Sequence, residues 1–151
     1  MADARRRRHG PMSAVASLIR LSPPERRLLV RAAWLLVILR LALAPLPLPL
    51  LERLVTRLAR PRRGPAPAVD RIGWALGAAA RRVPDATCLV QALAVRILLG
   101  RQRIPAGVRI GVARERGAPL ESHAWVESEG RVVVGDAHLD RYVPIATWGT
   151  R

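Results

Sequence analysis

The amino-acid sequence predicts an α+β fold, with a helical N-terminal region, then a helix that carries a cysteine in its first turn, then an antiparallel β-meander. Two observations lead to this class. Residues 85–100 are apolar around most of the helical period, between a capping residue and a glycine. Residues 107–135 then alternate apolar and polar side chains in short runs separated by turn residues. At 151 residues, the chain is long enough to bury a core.

The first strong element is a long apolar helix, predicted over residues 24–44. Ser22 is its N-cap, prolines occupy the first turn, and Glu25 completes a capping box. Three alternating prolines end the helix, and Arg40 places a charge near the middle of the apolar stretch, so a transmembrane span is disfavoured. The sequence leaves open whether the helix faces the core, a partner or a lipid surface.

Two further helices and a linker complete the N-terminal half. An amphipathic helix is predicted over residues 50–60, and a short helix over residues 70–83. Between them, residues 60–68 contain three prolines and show no apolar periodicity, which is typical of a linker. We therefore predict that residues 1–69 form a basic, apolar docking region that ends in this linker, and that residues 70–151 form the domain that carries the chemistry.

The charge of the chain is unevenly distributed. All 26 basic residues are arginines, and the formal net charge is +15. Residues 1–83 hold 17 of these arginines against four acidic residues, whereas the remainder is close to neutral. Without lysine, the chain can have no Walker-type phosphate loop and no Schiff-base lysine. Nucleic-acid binding is disfavoured because aromatic stacking residues are scarce in this half, so the charge favours a docking surface.

A single cysteine, Cys88, excludes an internal disulfide and a zinc site built on paired cysteines. This usage fits a reducing compartment, and we expect a cytoplasmic protein. Asp85 or Thr87 caps the helix that follows, which places Cys88 in the first turn. Unpaired backbone N–H groups and the helix dipole stabilise a thiolate there. A lone cysteine is also commonly a small buried hydrophobe.

The predicted meander supplies partners for such a thiolate. Its strands are predicted over residues 107–113, 120–127 and 131–135. On the second strand, His123, Trp125 and Glu127 share one face, and Asp136 follows the third strand directly. A helix-start cysteine, a strand histidine and a strand-end aspartate are the residue types that a Cys–His–Asp triad requires.

A metal site is the alternative use of these side chains. Cys88, His123, Asp136 and His138 are all capable ligands, but none shows the short ligand spacing of zinc sites. We therefore expect neither a metal nor a cofactor.

Four segments carry a resemblance to a known family: CLVQALAVRILL at 88–99, IPAGVRIGV at 104–112, HAWVE at 123–127 and VGD at 134–136. Together they resemble the transglutaminase-like domain of lasso-peptide leader peptidases, which are bacterial cysteine proteases that mature ribosomally made peptides. The front half is also similar, through LSPPERRLL at 21–29. The resemblance implies a transglutaminase-like, papain-like core in the second domain.

The resemblance also assigns roles to residues of this chain. It implies that Cys88 is the nucleophile, His123 the general base and then acid, and Asp136 the orienting carboxylate. In this chain the aspartate follows the histidine one residue later than in the family pattern, and a bulge in the strand at 132–134 would restore the register. Asp140 stays a second candidate for the carboxylate, and His138 a competitor of His123.

A function and partners follow from the resemblance. It implies a hydrolase that removes the leader from a lasso precursor peptide, together with a separate leader-recognition protein and an ATP-using ring-closing synthetase. An acyltransferase or transglutaminase that uses the same triad is an alternative, as is a non-enzymatic membrane or adaptor protein. The backbone N–H of Cys88 is one expected oxyanion donor, and the second is not identified.

Overall fold

The computed structural model describes residues 21–64, 66–113 and 119–149, so the first 20 residues of the predicted docking region lie outside it. The helices are α1 (Pro23–Leu43), α2 (Leu48–Leu58), α3 (Val69–Ala80) and α4 (Cys88–Gly100). The strands are β1 (Gly107–Ala113), β2 (Glu121–Ser128), β3 (Arg131–Val134) and β4 (Val143–Trp148), with a 3-10 helix at Leu139–Arg141.

The sheet confirms the predicted meander and adds one strand to it. The four strands are antiparallel in the order β3-β2-β1-β4. The sequence reading missed β4, which pairs with β1 at the edge of the sheet. Its second residue is Pro144, and most of the strand is exposed on both faces. Because an edge strand tolerates a proline and lacks the alternation of a half-buried strand, its pattern gives little signal.

The predicted bulge at residues 132–134 is confirmed. Val126 pairs with Val134, whereas the next residue, Glu127, pairs with Val132. Val133 is therefore the extra residue on β3. Its carbonyl oxygen lies 3.1 Å from the point where a Cβ on Gly73 of α3 would sit, so α3 packs closely on the bulged strand.

Helix α4 lies at the centre of the hydrophobic core, with α1, α2, α3 and the sheet packed around it. The core includes residues on both sides of the predicted boundary at residue 69. Its largest fully buried side chains are Leu36, Leu39, Val55, Ile72, Leu76, Val90, Leu93, Val95, Ile97, Leu99, Val108 and Val126. Burial of each such side chain contributes roughly 1.5–3 kcal/mol. The division into two domains stays a prediction, but the two parts share one core.

Helix α1 begins as the sequence predicts, with Ser22 as N-cap and a capping box to Glu25. The backbone N–H and the hydroxyl of Ser22 donate to Glu25 Oε2 at 2.9 and 2.7 Å. The guanidinium of Arg71 on α3 donates to the other carboxylate oxygen. These bonds, with the Ser22 hydroxyl contributing most, lower the pKa of Glu25 below its ordinary value of 4.5. Among the helices that the structure describes, none has both the length and the apolar character needed to cross a bilayer.

This carboxylate makes stability depend on pH. Because the native pKa is below the unfolded one, the stabilisation is complete above pH 4.5 and is lost as the pH falls through the lowered native pKa. We expect Glu25→Gln to lower the free energy of unfolding at pH 7, and the difference from the native protein to narrow below pH 4.5. Urea denaturation from pH 7 to pH 3 measures this. Glu129→Gln, in the exposed β2–β3 turn, is the control, and a constant difference at all pH values would contradict the assignment.

Candidate active site

Cys88 is the first residue of α4, and its free thiol is half-buried. The cap is Thr87, whose side-chain oxygen accepts the N–H of Val90 at 3.4 Å. The N–H groups of Cys88 and Leu89 have no partner within the helix, because their turn is the first. The predicted position of the cysteine is thus confirmed, at the end of the helix where the dipole favours a thiolate.

The segment that leads into Cys88 is held by side chains from two helices. Arg40 of α1 donates from Nε to the carbonyl oxygen of Pro84 at 3.1 Å, and its guanidinium pairs with Asp85. The side-chain amide of Gln91 donates to the carbonyl of Ala86 at 2.7 Å. Asp85 therefore serves as the partner of Arg40 and leaves the cap to Thr87. Arg40, the charged residue that disfavoured a membrane span, therefore holds the chain directly before Cys88 in place.

His123 is the third residue of β2 and is half-buried. Its Nε2 lies 2.9 Å from the carbonyl oxygen of Gly135. Because a carbonyl oxygen only accepts, this bond assigns the proton of the neutral ring to Nε2 and leaves the lone pair on Nδ1. Nδ1 is then the nitrogen that can take a proton from a thiol.

The acceptor for His123 is a backbone group that the sequence reading missed. Gly135 has φ +82°, and a Cβ there would lie 2.8 Å from the carbonyl oxygen of Ala124. Only a glycine fits this close approach without a shift of β2. The sequence signal for a role of Gly135 was its position directly before Asp136, the predicted carboxylate of the triad.

The two candidate carboxylates, Asp136 and Asp140, are exposed and lie in the segment that follows Gly135. Asp136 is exposed and follows the hydrogen-bonded Gly135 in the chain. Across the described ranges, no hydrogen bond joins Asp136, Asp140 or His138 to His123. Asp140 lies in the exposed 3-10 helix, and His138 precedes that helix in a left-handed conformation. The roles of Asp136 and its two alternatives stay predictions.

The two faces of β2 are occupied as the alternation predicts. Ala124 and Val126 belong to the core on which α4 packs. His123, Trp125 and Glu127 lie on the other face. Among residues 21–64, 66–113 and 119–149, no hydrogen bond joins the Cys88 thiol to His123. The structure brings His123 to the Gly135–Asp136 corner, and the contact of the triad with Cys88 stays a prediction.

Aromatic rings enclose the imidazole on this outer face. The ring of His123 stacks on Trp125, with centroids 6.3 Å apart, and contacts Tyr142, with centroids 5.0 Å apart. Gly111 pairs with His123 across the ladder, and a Cβ on it would lie 2.8 Å from the indole of Trp125. Sequence reasoning missed Tyr142 and Gly111. An isolated glycine inside the apolar strand β1 was the signal for such a close approach.

Within the described residues, no group of three or more His, Cys, Asp or Glu side chains is arranged to hold a metal ion.

The fold and the site define a class: an α+β domain with a cysteine at the start of a buried helix and a histidine on an adjacent antiparallel sheet. A family model of the transglutaminase-like superfamily matches residues 33–147, and this chain belongs to that superfamily. The match contains Cys88, His123 and Asp136, and the chemistry of the superfamily is of the cysteine-peptidase and acyltransferase type. Searches of curated proteins and of solved structures find no match to this chain.

The close approach of Gly135 to β2 can be tested against a matched turn glycine. Gly130 has a similar positive φ of +74° but open space around its Cβ position. We expect Gly130→Ala to cost about 1 kcal/mol through backbone strain. Gly135→Ala should cost roughly 1–3 kcal/mol more, because β2 must shift to relieve overlap. Chemical denaturation of both variants measures the difference, and equal losses would show that the approach is not close.

Proposed function

We propose that this protein is a cysteine peptidase that removes the leader from a lasso precursor peptide. The observation that carries the proposal is the position of Cys88, the only cysteine, at the first residue of the buried helix of a transglutaminase-like domain. The tautomer of His123 supports it, because Nδ1 is left able to accept a proton. The resemblance of the HAWVE segment and its neighbours supports the choice of substrate.

The proposed mechanism requires a rearrangement first, because His123 lies on the face of β2 opposite the one on which α4 packs. Once the imidazole is within hydrogen-bond reach of Cys88, its Nδ1 takes the thiol proton. The thiolate attacks the scissile carbonyl carbon, and the N–H of Cys88 donates to the resulting oxyanion. The intermediate collapses, and the amine that leaves takes the proton from the imidazolium. Water then attacks the thioester, with His123 again as base, and releases the leader acid and the free thiol. Asp136 stabilises the imidazolium by its charge.

The same acyl-enzyme supports a second candidate function. The superfamily includes transglutaminase-type chemistry, in which an amine instead of water accepts the acyl group. The two functions differ in the mass of the product, because hydrolysis adds water to the acyl fragment whereas transfer joins it to the amine.

The nucleophile is tested by intact-mass analysis of a precursor peptide incubated with the protein and its recognition partner. We expect a released leader and a shortened core from the native protein. Cys88→Ala should reduce the rate on the order of 10³-fold or more, because the nucleophile of a triad is lost. Cleavage by Cys88→Ala at the native rate would refute the assignment, and a product joined to an added amine would select the transferase.

The carboxylate is tested by a matched pair, Asp136→Asn and Asp140→Asn. We expect Asp136→Asn to lower kcat about 10²-fold, and Asp140→Asn to leave it close to native. The loss should be smaller than the ~10⁴-fold seen where a carboxylate also sets the tautomer, since the Gly135 carbonyl performs that task here. A larger loss in Asp140→Asn would transfer the role to Asp140.

We propose that the separate leader-recognition protein docks on the outer face of α1, and that the ring-closing synthetase is a further partner. This face is an exposed apolar stripe of Val30 (52%), Trp34 (64%), Ile38 (43%) and Leu41 (63%). Their spacing of three to four residues places them on one side of the helix. Exposed arginines, among them Arg31, lie beside the stripe. Such a row of large apolar side chains is more typical of an interface than of free surface.

A substitution in this stripe tests the docking. We expect Trp34→Asp to weaken binding of the recognition protein at least about tenfold, because exposed tryptophans are common binding hot spots. Leu120→Asp is the matched control, since Leu120 is also 64% exposed but precedes β2. Calorimetric titration measures both. Unchanged binding by Trp34→Asp, with loss of adsorption to anionic lipid vesicles, would assign the stripe to a membrane surface instead.

A further inference from the structure

We propose that Glu127 is a positioning residue that fixes the imidazole of His123 through Trp125. The inference rests on the proposed function for its catalytic meaning, while the contacts that carry it are independent of the substrate. It begins from a carboxylate that lies on the same face of β2 as the histidine, four residues further along the strand.

The first link joins the carboxylate to the histidine. Trp125 Nε1–H donates to Glu127 Oε1 at 2.9 Å. The indole ring lies at an interplanar angle of 21° to the imidazole of His123. Trp125 itself is 3% exposed, whereas the Glu127 side chain is 36% exposed, so the hydrogen bond is partly buried. Because the indole is fixed, it limits the orientation of the imidazole ring that packs beside it.

The second link holds the carboxylate. Arg109 on β1 donates from Nε to Glu127 Oε2 at 3.0 Å, and from Nη1 to the hydroxyl of Thr147 on β4 at 3.3 Å. Both oxygens of Glu127 are therefore engaged, one by the indole and one by the guanidinium. A charge-assisted bond of this kind is stronger than a neutral one, so the three strands β4, β1 and β2 jointly fix the indole.

The third link is steric. The benzo edge of Trp125 occupies the space above Gly111, where a Cβ would lie 2.8 and 2.9 Å from two ring carbons. Tyr142 contacts the imidazole as well, at a centroid distance of 5.0 Å. With its ring contained and its Nε2–H bonded to Gly135, His123 presents Nδ1 in one direction. Loss of Glu127 frees the indole and thereby the imidazole.

The test compares Glu127→Ala with Glu127→Gln. The glutamine keeps an oxygen that accepts the indole N–H, whereas the alanine removes it. Imidazole ¹⁵N shifts report the tautomer and order of His123, which is assigned among the three histidines by comparison with His123→Asn. We expect the native protein and Glu127→Gln to show the Nε2–H tautomer, and Glu127→Ala to show mixed tautomers or exchange-broadened signals.

A matched control separates positioning from general destabilisation. Glu25→Ala removes another carboxylate that accepts from a neighbour and pairs with an arginine, Arg71, but this pair joins helices α1 and α3 and does not involve β1, β2 or β4. We expect it to leave the His123 signals unchanged. Native-like His123 signals in Glu127→Ala, or an equal change in Glu25→Ala, would overturn the proposal.

Kinetics then connect positioning to catalysis. We expect Glu127→Ala to lower kcat roughly tenfold with KM changed less than about twofold, and Glu127→Gln to recover most of kcat. An equal loss of kcat in Glu127→Ala and Glu127→Gln would overturn the positioning role. If no form of the protein cleaves the precursor, the proposed function fails, whereas the ¹⁵N measurement still decides the positioning of His123.

Discussion

The burial of α4 on all of its sides is the constraint on which the rest of the structure depends. Four consecutive residues, 92–95, are fully buried, so the central turn of this helix has no face that meets water. Three helices and a sheet are needed to cover it, and each supplies only one apolar face. Because Cys88 is the first residue of α4, the whole core fixes the place of the thiol. The family match beginning at residue 33, inside α1, agrees with a domain that includes the covering helices.

Arginine serves inside this fold as well as on its surface. Arg40 holds the segment before Cys88, and Arg101 at the end of α4 donates to the carbonyl of Leu58 at 2.9 Å. The pKa of Arg101 is lowered, mainly because burial disfavours its charge and secondly because the positive charges of Arg62 and Arg31 repel it. The long apolar stem of an arginine can pack along apolar side chains, while its guanidinium reaches a carbonyl at the end of a neighbouring helix. Arg40 belongs to the basic half, so part of the charge of that half is structural, and the proposed docking surface depends more on the apolar stripe of α1.

The elements that the sequence predicted are those with a local cause. The start of α1 follows from Ser22 and Glu25, and the start of α4 from Thr87, because caps act within one turn. The elements it missed are defined by distant contacts. Strand β4 exists because β1 offers a free edge, and the acceptor for His123 is a main-chain carbonyl that no residue type encodes. Sequence therefore pointed to Cys88 and His123 as candidates, whereas the groups that enclose the imidazole emerged only with the register of the strands.

The structure divides the control of His123 among separate groups. The Gly135 carbonyl assigns the proton to Nε2, and the aromatic neighbours limit the ring plane. In a triad whose carboxylate performs both tasks, its loss gives the wrong tautomer. Here a backbone group that cannot be mutated away sets the tautomer, so in the proposed mechanism the remaining task of Asp136 is electrostatic. In that proposal Asp136 needs only to lie near the imidazolium and not to hold it, because the Gly135 carbonyl already holds the ring. The bulge at Val133 takes up the extra residue of β3, so that the strand still delivers Gly135 to its place beside β2.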